Sequence, residues 1–267
     1  MSANPVFFSE RPAGHPQGLG VHGFVIAPPA RWLVLDIETG DADEGAVRAT
    51  MEAWKGPSNW KPETIERKRQ EFAEKAMEKA ALLDASPVLC VALTTDEPRR
   101  LIISGMGGDK PAVEGWAVDV REDERAMLVR LREVLDACAT LGTVIVGHNI
   151  CGFDMPKLRN AYLRHRLKLP AILAPRVLDG DQAAPVVDTS RLFKAYSMEH
   201  RDDFCPGLDT MAAGLGIPRP KEVISGADVP RLHRAGEFAA ILTYCAVDTA
   251  CTARAYLLMT GQADDLQ

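Results

Sequence analysis

Short unbroken apolar runs alternate along this chain with longer amphipathic stretches, a pattern that predicts buried strands interleaved with helices. Residues 31–37 are apolar, partly β-branched and closed by Thr39-Gly40, which predicts a buried strand. Residues 62–83 are charged and alanine-rich, EKAMEKAALL being the most regular part, and predict a helix. PVLCVALTT and RRLIISG predict two further strands separated by a turn at Asp96-Glu97-Pro98. Over residues 123–139, Met127, Leu128, Leu131, Val134 and Leu135 make one apolar side of a helix. TVIVGHN follows as a short strand with a polar end. Asp154-Met155-Pro156 reads as a helix start, with an acidic cap and proline in the first turn; that helix runs through KLRNAYLRHRLK and stops before Pro170. PVVDTSRLF predicts a short strand leading into a turn. A short helix over 208–215 is closed by Gly216 and Pro218, and a long helix over 237–259 has Gly261 just past its end.

Strands in the first half, helices in the second and crossovers between strands predict an α/β sheet with helices packed on it. One domain, roughly residues 31–261, is expected at this length. Residues 1–30, rich in Gly and Pro, are expected to be an extended or flexible lead-in, and residues 262–267 a tail. The lead-in lacks the charged start and apolar core of a signal peptide. No apolar run approaches the ~18 residues that would span a bilayer. The six cysteines include no C-x-x-C pair, so buried free thiols in a cytoplasmic protein are expected rather than a zinc site or disulfide framework. A net charge of −6 argues against coating nucleic acid by bulk electrostatics, but leaves room for an acidic metal site that acts on it.

Candidate chemistry concentrates in five residues: Asp36 and Glu38 in WLVLDIETG, Asp154 in GHNICGFD, and Tyr244 and Asp248 in YCAVD. Alternate strand residues share a face, which projects Asp36 and Glu38 together. Tyr244 and Asp248, four apart, share a helical face. Asp154 lies between a strand and a helix, where open α/β sheets place their sites. Taken singly, each has a plain alternative: a helix cap for Asp154, surface neighbours for the Tyr–Asp pair, coincidence for Asp-x-Glu. Two carboxylates in an apolar strand are nevertheless costly unless paired or metal-bound. Hard divalent cations take oxygen ligands and keep water and phosphate in their shell, so the conjunction predicts a metal-dependent nuclease.

DIETG, HN-x-x-x-FD and Y-x-x-x-D resemble the three exonuclease motifs of the DEDD superfamily, in its tyrosine-bearing DEDDy branch. The chain is similar in this to the proofreading domain of family B DNA polymerases and to stand-alone phage and bacterial exonucleases. The resemblance spans Trp32 to about Leu258, with further similarity at VVDTSRLF and LDTMAAGLGIPRPK. It implies a ribonuclease H-like mixed sheet flanked by helices. It also implies two divalent ions, Mg²⁺ or Mn²⁺, the first held by Asp36, Glu38 and Asp248, the second by Asp36 and Asp154. Tyr244 would orient the attacking water. Thr39, His148, Asn149, Phe153 and Lys221 match positions near the terminal nucleotide, although a His closing a buried strand also suits a structural post. The implied activity is release of nucleoside 5′-monophosphates from the 3′ end of single-stranded DNA. The alternatives are a 3′–5′ exoribonuclease on short RNA and a non-catalytic nucleic-acid-binding module of the same fold.

Basic residues offer two readings. Lys157, Arg159, Arg164, Arg166 and Lys168 follow Asp154 without an acid among them, and serve either as phosphate contacts or as a solvated face. The segment 55–79, bordered by Trp54 and Trp60, reads as a flap over substrate or as a solvated helix.

Overall fold

Alternation along a single central strand sets both the core and the site. The structure is a computed structural model that describes residues 19–21, 24–26, 31–78, 80–82, 84–96, 99–173, 186–218 and 224–262. It begins with an antiparallel pair, β1 (Leu19–Val21) and β2 (Phe24–Ile26), within the segment expected to be a lead-in. The rest of that segment and nearly all of the tail lie outside the described residues. Then come β3 (Trp32–Thr39), α1 (Glu44–Ala53), α2 (Pro62–Glu78), β4 (Val88–Thr95), β5 (Arg100–Ser104), β6 (Ala117–Val120), α3 (Glu124–Leu141), β7 (Val144–Gly147), α4 (Asp154–Arg164), β8 (Val186–Asp188), α5 (Thr189–Tyr196), α6 (Leu208–Gly214), α7 (Val229–Arg234) and α8 (Phe238–Met259).

Six strands form one sheet in the order β6-β5-β4-β3-β7-β8. The β3–β4 and β4–β5 pairs are antiparallel, whereas β3–β7, β7–β8 and β5–β6 are parallel. The sheet is mixed and flanked by helices, as the sequence leads one to expect. Leu33, Leu35 and Ile37 point to one face and pack with Met127, Leu131, Leu135, Leu158 and Tyr162 from α3 and α4. The intervening Trp32 and Val34 point to the other face and meet Ala253, Tyr256 and Leu257 of α8. Farther along the same face, Cys90, Ala92 and Ile102 pack against Ile241, Leu242 and Cys245. Each large aliphatic side chain buried in this way stabilises the fold by about 1.5–3 kcal/mol. As β3 advances from Trp32, its contacts on α8 move back from Leu257 toward Cys245. The same alternation therefore delivers Asp36 and Glu38 to the middle turns of α8.

Several elements differ from the sequence reading. TSRLF is helix rather than turn, because Asp188 caps it by accepting from the Ser190 N–H at 3.1 Å. Helix α4 starts at Asp154 as expected, but Phe153 occupies the cap position and Asp154 makes no capping bond there. Helices α1 and α7 and edge strand β6 add to the expected set. Helix α2 carries surface ion pairs of the Arg67–Glu71 and Arg69–Glu66 type, and the Trp54 ring stacks on Phe72 at 5.8 Å. That is the packing of a solvated helix pair. No helix among the described residues is long and apolar enough to cross a membrane.

Candidate active site

The parallel neighbour β7 pairs with β3 only as far as Val34. Beyond that point the edge of β3 is met by a side chain instead: the Asp154 carboxylate accepts hydrogen bonds from the backbones of Ile37 and of Asp154 itself. Asp154 is 3% exposed, Glu38 8% and Asp248 9%, so three carboxylates that would ordinarily seek water are buried. Asp36 keeps a partial opening to the cleft while atoms pack closely around it.

Electrostatics ties the four acids and the tyrosine into one unit. Burial, then the charges of Asp154 and Asp248, push the Asp36 carboxyl well above the usual range. Glu38 is raised by burial and next by Asp36, with further contributions from Asp248 and Asp154. Asp154 is pushed up to about 7, chiefly by burial, against the opposing pull of its backbone donors. The Tyr244 phenol is raised by burial, by the Asp248 and Glu38 charges and by its hydrogen bond to Asp248. It is therefore a neutral phenol throughout the physiological range. A cluster of like charges held out of water is unstable unless protonated or neutralised by a cation. Its carboxylates offer hard oxygens, the donor type that Mg²⁺ and Mn²⁺ take, beside one thiol. One ligand atom each from Asp36, Glu38 and Cys245 lie within 4.8 Å of one another, which makes this cluster the candidate metal site.

Two participants escaped the sequence reading. Cys245, expected only as a buried thiol, sits against Asp36, its Sγ 3.4 Å from Oδ2 and 3.6 Å from the backbone oxygen. Its place one residue after Tyr244 was the available signal. Asp188 is buried and accepts from the N–H groups of Asn149 at 3.0 Å and Cys151 at 3.2 Å, as well as from Ser190. It thus pins the loop that leads into Asp154.

The substrate-contact candidates divide. Asn149 lies on this loop with φ 54, a left-handed conformation that Asn tolerates better than most residues. Its side-chain amide folds so closely over Gly152 that a Cβ there would collide with Oδ1, which accounts for that glycine. Phe153 is half-buried against the core, with Lys157 Nζ 5.7 Å from its ring centre. His148 has both ring nitrogens engaged, with Thr189 Oγ1 at 3.1 Å and the Pro206 oxygen at 2.9 Å. It clasps two loops rather than offering a free nitrogen to substrate. Thr39 donates its hydroxyl proton to the Ala81 oxygen at 3.0 Å. Lys221 lies outside the described residues; the segment that follows them brings Gly226 to the phenol, where a Cβ would stand 3.7 Å from Oη.

The basic run after Asp154 is largely structural. Lys157 is buried, bonded to Ser86 Oγ at 2.6 Å and the Ala81 oxygen at 2.9 Å, and lowered by burial to about 8. Arg159 donates to the Leu173 oxygen and Arg164 pairs with Glu124. These three cations hold α4 to its neighbours, whereas Arg166 and Lys168 at the end of the run stand exposed.

Residues 103–267 match a family described as a predicted 3′–5′ exonuclease related to the exonuclease domain of PolB. That range takes in Asp154, Tyr244 and Asp248 and begins after Asp36 and Glu38. No curated protein sequence matches the chain. Among solved structures, the family B DNA polymerase from the hyperthermophilic archaeon Pyrobaculum calidifontis aligns with a TM-score of 0.49 and 18% identity over 87% of this chain. The chain spans 25% of that polymerase's length.

Proposed function

Because the chain belongs to the family of predicted 3′–5′ exonucleases related to the exonuclease domain of PolB, we propose that it releases nucleoside 5′-monophosphates from the 3′ end of single-stranded DNA, using two divalent cations. The observation that carries this reading is the convergence of Asp36, Glu38, Asp154 and Asp248 from three separate elements on one buried cluster, where each acid feels the charge of the others. Asp36, Glu38 and Asp248 would hold one Mg²⁺ or Mn²⁺, and Asp36 with Asp154 a second. Bound there, such ions supply water activation and stabilisation of the charge that develops on the leaving oxygen.

The protein's own groups account for positioning. The Tyr244 hydroxyl donates a hydrogen bond to Asp248, and its oxygen would orient the incoming water. Cys245 steadies one oxygen of Asp36 as a weak donor. Asp188, through the Asn149 and Cys151 N–H groups, fixes the loop over which the terminal nucleotide lies. No covalent nucleophile is required. DNA is favoured over RNA because the family is related to the exonuclease domain of PolB.

Matched DNA and RNA oligonucleotides of one sequence, mixed in one tube and carrying distinguishable 5′ labels, test the polymer preference. The DNA is expected to shorten faster. Faster RNA shortening would overturn the DNA assignment and leave the reaction class in place.

A further inference from the structure

Exposed large hydrophobic side chains are few among the described residues, and three of them fall together: Tyr196 at 73% exposure, Met198 at 83% and Phe204 at 101%. They belong to the end of α5 and the loop that joins it to α6. Beside them is a groove of about 380 Å³ lined by Arg191, Lys194, Tyr196, Met198 and Arg201 among others, with no carboxylate in its lining. Arg191 and Lys194 are three apart on α5 and share a face. Of the nearby acids, Asp203 bonds His200 at 2.9 Å, and Glu199 and Asp202 stand exposed without lining the groove. Among the described residues, Lys194 and Arg201 have no acidic partner within ion-pair distance. A solvated surface would not collect bare aromatic and thioether side chains around unneutralised cations, whereas single-stranded nucleic acid needs both, bases stacking on the rings and phosphates meeting the cations.

We propose that this groove binds the part of a single DNA strand lying upstream of the 3′ end held among the carboxylates. The proposal rests on the exonuclease reading for its direction and on the groove's own chemistry for its ligand. Continuity with the site supports it. Arg191 Nε lies 3.9 Å from Asp188 Oδ2, and the same Asp188 carboxylate holds Asn149 and Cys151. His148 ties the far loop to the same frame through Pro206. The groove and the loop that leads into Asp154 therefore share one anchor, Asp188, so that a strand leaving the site past Asn149 would have Arg191 and Lys194 within its course. Cations placed there position the strand without reading its sequence.

The test compares wild type, the double variant Lys194→Ala/Arg201→Ala and the single variant Tyr196→Ala on a trinucleotide and a twenty-nucleotide oligothymidylate. Hydrolysis is followed with Mg²⁺ or Mn²⁺, and binding by anisotropy in EDTA across a salt series. For the long oligomer, the double variant is expected to raise KM about tenfold and to flatten the slope of log affinity against log salt by about 1.4, the value for two lost phosphate contacts on a single strand. Tyr196→Ala is expected to weaken binding about tenfold, the order set by one stacked base. All three proteins should melt alike and treat the trinucleotide alike. If both variants handle the long oligomer as wild type does, the groove is not a DNA track and its exposed rings fall to a protein partner. Length-dependent, groove-sensitive binding without cleavage of either oligomer would instead uphold the groove and sink the exonuclease reading.

Discussion

Asp36 shares its crevice with the like charges of Asp154 and Asp248, and among side chains it accepts from the Cys245 thiol, a weak donor. Replacing it by Asn keeps the shape and removes one charge from the cluster. Asp36→Asn is therefore expected to do two opposite things. Turnover should fall by at least about a thousandfold, on the scale of losing a preorganised electrostatic group. The metal-free protein at pH 8 should meanwhile melt higher, each kcal/mol of relieved repulsion being worth about 2–4 °C in a domain of this size. Calorimetry in EDTA checks the second effect, and a lower melting point would show that the charge is compensated by something else. Tyr244→Phe separates the phenol from its ring. It should leave the melting temperature close to wild type and reduce turnover about a hundredfold, the lower range for a group that handles a proton or orients water. Wild-type rates in this variant would remove Tyr244 from the chemistry. In the sequence, strand and helix periodicity pair Asp36 with Glu38 and Tyr244 with Asp248, whereas joining the two pairs to Asp154 rests on the resemblance of the three motifs to an exonuclease family. Cys245 was not, because a thiol inside an apolar helix has the same sequence signature whether it packs on Leu or on a carboxylate.

One element boundary governs the geometry of the site. Asp188 ends β8, caps α5 and accepts from two N–H groups of the loop before α4. Asp188→Ala leaves three backbone donors without their acceptor, and is expected to cost about 2–3 kcal/mol of stability, more than an ordinary helix cap. Asp188→Asn keeps one acceptor oxygen and should cost less. Urea denaturation of both variants measures the order; equal costs would mean that the loop holds itself. The sequence pattern placed β8 but read the following TSRLF as a turn, since its five residues carry no helical period of their own. The helix exists because Asp188 caps it and because it packs on α6 and α8. Helix α1 and strand β6 stayed hidden for the same kind of reason. VRATMEA buries only Val47, and AVDV is a short edge whose pairing with β5 decides its conformation. Where a segment's structure is fixed by its neighbours rather than by its own alternation, the local sequence does not reveal it.

At the scale of the whole molecule, the buried carboxylates make stability depend on pH and on metal. Asp36, Glu38 and Asp154 all hold their protons more tightly in the folded chain than in the unfolded one. The folded state is therefore protonated where the unfolded state has already ionised, and stability is lost as pH rises from the unfolded carboxylate pKa of about 4 toward the folded one. For Asp154, whose folded pKa is about 7, the loss amounts to roughly 4 kcal/mol between about pH 4 and pH 7. Melting curves in EDTA should shift to lower temperature across that window. Divalent cations favour the ionised carboxylates, so the stabilisation from Mg²⁺ or Mn²⁺ should widen as pH rises. A metal effect that does not change with pH would contradict the shared-site account.

The central claim, that these four acids form one phosphodiester-cleaving centre working from a 3′ end, is tested most directly by a time course on a 5′-labelled single-stranded oligonucleotide, with wild type and Asp154→Asn compared in Mg²⁺, Mn²⁺ and EDTA. The account predicts a ladder that shortens one nucleotide at a time from the 3′ end with wild type and metal, and intact oligonucleotide in EDTA or with the variant. Equal cleavage by folded Asp154→Asn, or cleavage that persists in EDTA, would contradict it.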